Sequence, residues 1–437
     1  MKVTVVRTSD RAFKRRLERI IQRRGKREDK VEQVVSEIVR TVRRKGDRAL
    51  VRYAKLFDGV RLNETDLEVE RREIDRAMER ISKEELRALR LAAKRIEAFH
   101  RRQLERSWGY RDPLGLFLGQ RITALGRVGV YVPGGKASYP STVLMNVLPA
   151  KVAGVKEVVM ASPIRSDGAV ILAAARIAGV DRIFRIGGAQ AITALAFGTE
   201  TVPKVDKIVG PGNIYVATAK RLVFGEVDID SIAGPSEILI LADATANPVY
   251  IAADMLSQAE HDELAAALCV VPSMKLARRI EAALEKQLRM TRRRAITIKA
   301  LERYGTIIVA RGLSEGVQLA NAIAPEHVEL MVEKPRKWAG LIRNAGAIFL
   351  GPYTAPPLGD YLAGPNHVLP TGGSARFFSP LGTYDFLKRT SVIQAEKKAL
   401  RVLAPEIIRL ARLEGLYDHA RAVEVRFEQE NHNEQNG

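Results

Sequence analysis

The sequence contains one cysteine and lacks any long apolar run. Because Cys269 stands alone, an intrachain disulfide and a zinc site built from several thiolates are both excluded. No stretch reaches the roughly 18 uninterrupted apolar residues that a membrane helix needs. The basic start of the chain also lacks the apolar segment of a secretory signal. These absences predict a cytoplasmic protein with no membrane partner, and its 437 residues are enough for two or three folding units.

Acidic residues are outnumbered by basic ones. The formal net charge is +20, and most of this excess lies in residues 1–110. A nucleic-acid-binding protein is one interpretation of such a charge. However, acids and bases alternate at helical spacing, and aromatic residues, at 6% of the chain, are too few for extensive base stacking. We therefore favour Arg-rich, solvated helix faces of the kind found in heat-adapted proteins, and predict no nucleic-acid partner.

Apolar periodicity divides the chain into helical and alternating regions. Residues 1–110 have mainly helical spacing, and Ser82 with Glu85 predicts a capping box. After Pro113, short apolar runs alternate with amphipathic segments, which predicts parallel sheets with helical crossovers. The predicted strands are Val128–Val132, Glu157–Ala161, Arg182–Ile186, Lys207–Val209, Glu237–Leu241, Ala266–Val271, Thr306–Ala310, Val328–Val332 and Ala347–Leu350. Residues 351–382, rich in Gly and Pro, predict a functional loop region.

The predicted fold class is α/β. We expect two Rossmann-like units with parallel sheets, N-terminal helices and a small C-terminal helical segment; the units are incomplete because no Gly-x-Gly-x-x-Gly fingerprint is present. The predicted divisions are an N-terminal helical arm over 1–25, a first α/β domain over 26–125 with 239–385, a second α/β domain over 126–238, and a C-terminal helical segment with a mobile tail over 386–437.

Two of the six histidines stand in short motifs with chemical potential. Gln258 and His261 are three residues apart at the end of a predicted helix, so they share one face and could converge on a metal ion. A polar helix end with no ion is the alternative. Glu326 and His327 lie where a Pro-led loop enters a strand, a pairing that suits general acid/base chemistry. An exposed Glu-His pair explains the same residues equally well.

The remaining histidines carry weaker signals. Asp360 and His367 lie in the predicted loop region, and His419 follows a glycine that interrupts the last helix. Together with Gln258 and His261, such donors suit Zn²⁺ or a similar ion, but spacing alone does not show that they converge. We expect His100, in a charged helix, and His432, in the tail, to face solvent.

Three glycine-rich turns follow predicted strands in the second α/β unit. They are Gly126–Gly135, Gly187–Gln190 and Gly210–Asn213. Glycine at a strand-to-helix turn lets backbone amides approach a phosphate at the helix N-terminus. Ordinary tight turns are the alternative, but three of them in one unit favour a nucleotide-binding crevice.

Taken together, the motifs resemble those of the histidinol dehydrogenase family over nearly the whole chain from about residue 30. The most specific are VPGGKASYPSTVLMN (132–146), KIVGPGNIYV (207–216), IAGPSE (232–237), QAEH (258–261), PEH (325–327) and GPNHVLPT (364–371). The resemblance implies an enzyme that oxidises L-histidinol through L-histidinal to L-histidine with two NAD⁺, the last step of histidine biosynthesis. A paralogous zinc- and NAD-dependent primary-alcohol dehydrogenase with another substrate is the alternative.

The resemblance also implies roles for individual residues. Glu326 and His327 would be the catalytic acid/base pair. The implied Zn²⁺ ligands are Gln258, His261, Asp360 and His419; the implied histidinol contacts are Ser236, Gln258, His261, His327, Asp360, Glu414 and His419; and the implied NAD contacts, in the second α/β domain, are Tyr131, Gln190 and Asn213. His367 would lie near the substrate. The family forms a homodimer in which the C-terminal segment completes the partner's active site.

Overall fold

The computed structural model describes residues 3–22, 29–134, 138–164, 168–232 and 234–434, with side chains described through residue 428. Gly135 of the first predicted glycine turn and the side chain of His432 lie outside the described part. The chain divides into two compact units. The larger unit consists of Met1–Leu104 with Leu125–Phe386, and the smaller unit consists of Glu105–Ala124 with Leu387–Gly437.

Two parallel sheets form the centre of the larger unit. The six-stranded sheet has the spatial order β1 (Thr4–Arg7), β11 (Thr306–Val309), β10 (Ala266–Val271), β9 (Glu237–Ala242), β12 (His327–Met331) and β13 (Ala347–Leu350). The five-stranded sheet has the order β6 (Arg182–Phe184), β5 (Glu157–Ala161), β4 (Arg127–Tyr131), β7 (Lys207–Val209) and β8 (Asp228–Ile229). All nine predicted strands are present, within two residues at either end, so the predicted α/β class with two parallel sheets is confirmed.

Helices cover these sheets, as parallel strands require. They are α1 (Arg11–Gln22), α2 (Asp29–Lys45), α3 (Asp47–Tyr53), α4 (Arg71–Arg80), α5 (Lys83–His100), α6 (Pro140–Ala153), α7 (Ala169–Ala178), α8 (Gly188–Phe197), α9 (Ile214–Val223), α10 (Pro248–Ala259), α11 (Met274–Leu288), α12 (Arg294–Tyr304), α13 (Leu313–Ile323), α14 (Pro335–Ala339) and α15 (Pro356–Tyr361). Strand residues alternate between the two faces. In β12, for example, Val328 and Leu330 join one apolar cluster while Met331 joins the cluster on the opposite face. The predicted capping box forms at α5, where Ser82 and Glu85 exchange hydrogen bonds of 2.9 and 3.1 Å.

The smaller unit contains a three-stranded antiparallel sheet that the sequence analysis did not predict. Its spatial order is β14 (Leu387–Gln394), β3 (Phe117–Ala124) and β2 (Trp108–Arg111), and it is followed along the chain by α16 (Lys397–Leu413) and α17 (Tyr417–Glu434). The segment expected to be helical from residue 386 therefore begins with a strand. Most residues of β14 are exposed, so the strand carries no clear alternation of apolar and polar side chains. The strand conformation of β14 is instead stabilised by backbone pairing with β3.

The start of the chain also differs from the helical arm that was expected. β1 lies at one edge of the six-stranded sheet, where Val5 pairs in parallel with Ile307 of β11. The run of β-branched residues in β1 favours a strand. Its partner lies so far along the chain that local periodicity gives no sign of it.

The position of His100 also differs from the expectation. It is fully buried at the end of α5, and its Nδ1 lies 2.8 Å from the carbonyl oxygen of Ile96. The charged residues around it occupy the other faces of the helix, so the expectation that His100 faces solvent was wrong. No helix in the described part of the chain is long and apolar enough to span a membrane.

Candidate active site

The predicted acid/base residues lie at the amino ends of β9 and β12, which are neighbours in the six-stranded sheet. His327 is the first residue of β12 and pairs with Ile238 of β9. Glu326 immediately precedes it, and Ser236, half-buried, immediately precedes β9. Open α/β sheets usually bind ligands at the carboxyl ends of their strands. This site uses the opposite edge.

One ring nitrogen of His327 forms a hydrogen bond with the backbone, and the other does not. Nδ1 lies 3.2 Å from the carbonyl oxygen of Glu237. Since a carbonyl can only accept, Nδ1 carries the proton, and Nε2 presents its lone pair. Nε2 is buried and has no hydrogen-bond partner among the described residues. Burial lowers the pKa of His327 despite the opposing effect of the nearby Asp360 carboxylate, so the ring is a neutral proton acceptor.

Glu326 is held beside this imidazole by the start of β9. Its Oε2 accepts a 3.0 Å hydrogen bond from the backbone N–H of Glu237 and lies 3.7 Å from His327 Nδ1. The residue is 7% exposed. A carboxylate fixed this close to a neutral imidazole can orient or deprotonate a water molecule.

Asp360 and His367 join the same cluster from α15 and the segment after it. The backbone oxygen of Asp360 accepts a 3.0 Å hydrogen bond from His367 Nδ1. Burial raises the pKa of Asp360 to about 6, with Glu326 adding to the rise and His327 opposing it. Burial lowers the pKa of His367 to about 4, and the neighbouring imidazoles of His327 and His261 lower it further. Glu326, His327, Asp360, His367 and His261 therefore lie close enough to affect one another's pKa.

His261 lies near the cluster, just after the end of α10, and Gln258 is in the last turn of that helix. Gln258 is 4% exposed, and its backbone oxygen lies 3.4 Å from the backbone nitrogen of His261. His261 follows the helix in a turn and keeps exposed surface. The protein packed around its ring still lowers its pKa, and His327 adds to this effect. The imidazole of His261 is therefore neutral at pH 7, the form that can ligate a metal ion.

Glu414 and His419 belong to the smaller unit. Glu414 follows the last residue of α16, and His419 lies in the first turn of α17; both are exposed. Within the described residues, no three His, Cys, Asp or Glu side chains are arranged around a common point as metal ligands. In the larger unit, only two of the predicted ligands, His261 and Asp360, are of these residue types. The third, Gln258, has an amide side chain.

The predicted NAD contacts lie at the carboxyl edge of the five-stranded sheet. The strand order of this sheet corresponds to the 3-2-1-4-5 order of dinucleotide-binding folds, with the reversal between β4 and β7. Tyr131 ends β4, and its hydroxyl oxygen accepts a 3.1 Å hydrogen bond from the N–H of Gly188 at the start of α8. Gln190, in the first turn of α8, is buried with an unpartnered Nε2 among the described residues. Asn213 caps α9 through its Oδ1.

Comparison with known proteins identifies the family. The model of the histidinol dehydrogenase family matches residues 21–427. The histidinol dehydrogenase of Aquifex aeolicus (strain VF5) is 53% identical over 426 residues, covering 98% of this chain and 99% of that protein. That of Syntrophotalea carbinolica is 55% identical over 392 residues, covering 89% and 91%. The crystal structure of histidinol dehydrogenase from Elizabethkingia anophelis superposes with a TM-score of 0.92 at 35% identity, covering 98% and 99%.

The chain belongs to the histidinol dehydrogenase family. It is accordingly an oxidoreductase of histidine biosynthesis. The alternative of a related dehydrogenase with another substrate is not favoured, since the matched relatives carry the histidinol dehydrogenase name over nearly their full length.

The sequence analysis missed one residue of this site, which joins Glu326 to His327. Glu237 donates its backbone N–H to Glu326 and accepts from His327 through its backbone oxygen. Its own carboxylate, almost fully buried, accepts a 2.8 Å hydrogen bond from the backbone N–H of Gly372. Glu237 thus ties the pair to the segment that follows His367. The motif containing Glu237 was visible in the sequence, but nothing in its spacing indicated this contact.

Proposed function

We propose that this chain oxidises L-histidinol through L-histidinal to L-histidine, using two NAD⁺ for each substrate molecule. The observation that carries the proposal is the buried, unpartnered Nε2 of His327, held by Glu237 in the tautomer that accepts a proton. A family match across residues 21–427 supplies the substrate class.

His327 Nε2 takes the proton of the substrate hydroxyl in the first oxidation. Glu326 activates water for attack on the aldehyde, which forms the hydrate needed for the second oxidation. Ser236, with the partner subunit's Glu414, would hold the substrate so that its reacting carbon stays in place through both steps. The low exposure of Glu326 and His327 keeps bulk water from these proton transfers.

The donor set fits a bound Zn²⁺ ion. Gln258, His261 and Asp360 would supply an amide oxygen, a neutral imidazole and a carboxylate, and His419 of the partner subunit would supply the fourth donor. The larger unit would therefore hold three of the four donors, and the fourth would come from another chain. When bound, the ion would hold the substrate's amine and imidazole nitrogens and so fix its orientation.

We infer a homodimer in which the smaller unit reaches the partner. Apolar side chains surround Glu414 and His419 in sequence and are strongly exposed: Leu410 by 62%, Leu413 by 77% and Tyr417 by 70%. The buried residues of α16 are all alanines. An exposed apolar patch of this kind favours a protein interface, and two-fold symmetry would then complete both sites at once.

The NAD contacts we propose are Tyr131, Gln190 and Asn213. A cavity of about 1220 Å³ lies at the same edge of the sheet, lined by Asp58, Ile164 after β5 and Arg185 after β6. Asp58 lies close to both Tyr131 and the Gly187 turn. The arginines and the apolar side chains of this cavity suit phosphate and adenine groups, respectively. NAD would therefore lie along the carboxyl edge of the five-stranded sheet.

Gly210→Ala tests the NAD site. Gly210 has φ +115°, and an added Cβ would lie 2.1 Å from the backbone oxygen of Tyr131. We expect the turn to move away from Tyr131, raising KM for NAD by about tenfold or more, which corresponds to ~1.4 kcal/mol of lost binding. Gly225→Ala is the matched control: its φ is +100°, but no atom lies within 4 Å of the added Cβ. An equal KM for both variants would contradict the proposed location of NAD.

The proposed reaction is tested most directly by stoichiometry. Histidinol supplied in limiting amount with excess NAD should yield two NADH per molecule consumed, and histidine as the sole product. One NADH per molecule, with an aldehyde accumulating, would remove the second oxidation from the proposal. If the enzyme oxidises another primary alcohol but not histidinol, the paralogous dehydrogenase is favoured instead.

The domain boundaries and the cytoplasmic location stay predictions from the sequence.

A further inference from the structure

His327 is the first of a row of side chains on one face of β12. Side chains alternate along a strand, so His327, Glu329 and Met331 point to one face. Met331 packs in the apolar cluster that contains Ile251 and Met255 of α10. This face of β12 therefore belongs to the side of the six-stranded sheet on which α10 packs, mainly over the neighbouring strands β9 and β10.

Two polar side chains of α10 form a corresponding row on one side of the helix. Asp254 and Gln258 are four residues apart and share one side of the helix. Asp254 interacts with Glu329. Asp254 is one helical turn before Gln258, and Glu329 is the next residue after His327 on the same face of β12. An acidic pair thus lies directly beneath two residues of the proposed active site, between the helix and the strand that present them.

The two carboxyl groups are buried and depend on each other. Glu329 is 0% exposed and Asp254 is 6% exposed. Both Glu329 carboxylate oxygens are buried and have no hydrogen-bond partner among the described residues, and the carboxyl of Asp254 is the adjacent group. Burial, together with the adjacent carboxyl of Asp254, raises the pKa of Glu329. Two adjacent buried carboxyl groups avoid repulsion between like charges only when one is protonated, and the shared proton then forms a hydrogen bond between them.

We propose that Asp254 and Glu329 are positioning residues that fix α10 against β12, and thereby hold Gln258 at a set distance from His327. This inference rests on the proposed function, because it assigns the pair to the metal and proton-transfer site above it. Neither acid touches the reacting atoms. Their hydrogen bond is directional, whereas the apolar contacts around Ile251 and Met331 would tolerate sliding of the helix along the strand.

Positioning and stabilisation make different predictions for this pair. Replacing a buried polar pair with apolar side chains of similar volume is often neutral or stabilising. A pair kept only for stability would therefore be dispensable. A pair kept for geometry would not be, because small displacements of catalytic groups cost up to ~10²-fold in rate and loss of the residues supporting metal ligands costs ~10- to 100-fold in metal affinity or activity.

The experiment compares the double variant Asp254→Ala/Glu329→Leu with Glu329→Gln. The double variant nearly conserves the combined side-chain volume but removes the hydrogen bond; the glutamine donates an amide N–H to Asp254 and keeps it. We expect the double variant to keep or raise Tm, lower kcat on histidinol by ~10- to 100-fold, and lower the affinity for Zn²⁺, measured by competition with a chelating dye, by at least ~10-fold. Glu329→Gln should stay near wild type in all three.

Cys269→Ala is the control. Cys269 is buried on the same side of the sheet near Glu329, and its replacement should lower Tm without changing kcat or Zn²⁺ affinity. A double variant that folds with unchanged kcat and Zn²⁺ affinity would overturn the positioning role. If the double variant does not fold, Glu329→Leu replaces it, and equal losses in Glu329→Leu and Glu329→Gln would overturn the role. A wild-type enzyme inactive on histidinol would instead refute the proposed function, while the Zn²⁺ comparison would still test the pair.

Discussion

Replacing Glu326 by glutamine is expected to slow oxidation of histidinal by about 10²-fold or more, the usual loss when a general base is removed. Oxidation of histidinol to histidinal should be slowed far less, because only the aldehyde step consumes water. The glutamine oxygen can still accept from the backbone N–H of Glu237, which Glu326 Oε2 accepts at 3.0 Å, so the local structure should survive. Single-turnover NADH formation from each substrate separately measures the two steps.

His327→Asn provides the comparison for this experiment. The unpartnered Nε2 of His327 would be lost, so the rate of the first oxidation should fall strongly, because His327 takes the hydroxyl proton in that step. The division of roles between Glu326 and His327 would be refuted by equal losses in both half-reactions of Glu326→Gln.

Mixing two inactive variants, His261→Ala and His419→Ala, is expected to restore activity. Each variant on its own should lose Zn²⁺ and turnover together, because each substitution removes one of the proposed metal ligands. In a mixed dimer, one site receives both substitutions and the other receives neither. After full exchange of an equimolar mixture, about a quarter of all sites should therefore work, as isologous two-fold symmetry requires. The measurement is histidinol turnover per subunit after exchange, confirmed with differently tagged chains.

The chain offers a matched control for the mixing experiment. His261 and Asp360 both lie in the larger unit, so mixing His261→Ala with Asp360→Asn leaves one defect in every site and should restore nothing. Verified exchange of His261→Ala with His419→Ala that gives no recovery would mean that His419 acts within its own chain. The same result would remove the proposed contribution of the partner subunit.

The parallel sheets were predictable because buried strands are short apolar runs bounded by turns. β5, β7, β10 and β13 begin and end at the predicted residues. β1 and β14 were missed for a different reason, since each is ordered by a partner far along the chain rather than by its own pattern. Periodicity reports how a segment is buried. It does not report which distant segment pairs with it.

The candidate site shows the same limit. Motifs in the sequence identified His327 and Gln258, and resemblance to a family supplied their expected roles. The contacts of Glu237 with Glu326 and His327 depend on the pairing of β9 with β12, and the Asp254–Glu329 pair depends on the packing of α10 against the sheet. Neither acidic residue stands in a motif that indicates burial, because carboxyl groups are usually exposed. Tertiary packing overrides that expectation here.

The position of β1 has a consequence for how the chain acquires its structure during synthesis. Every residue of the five-stranded sheet leaves the ribosome before β9, so that sheet can form while the six-stranded sheet is still missing five strands. β1 emerges first of all and must wait for β11 before its backbone is paired. During that interval, the nascent chain carries an unpaired strand with β-branched residues, where chaperone binding or pairing with another chain competes with correct assembly.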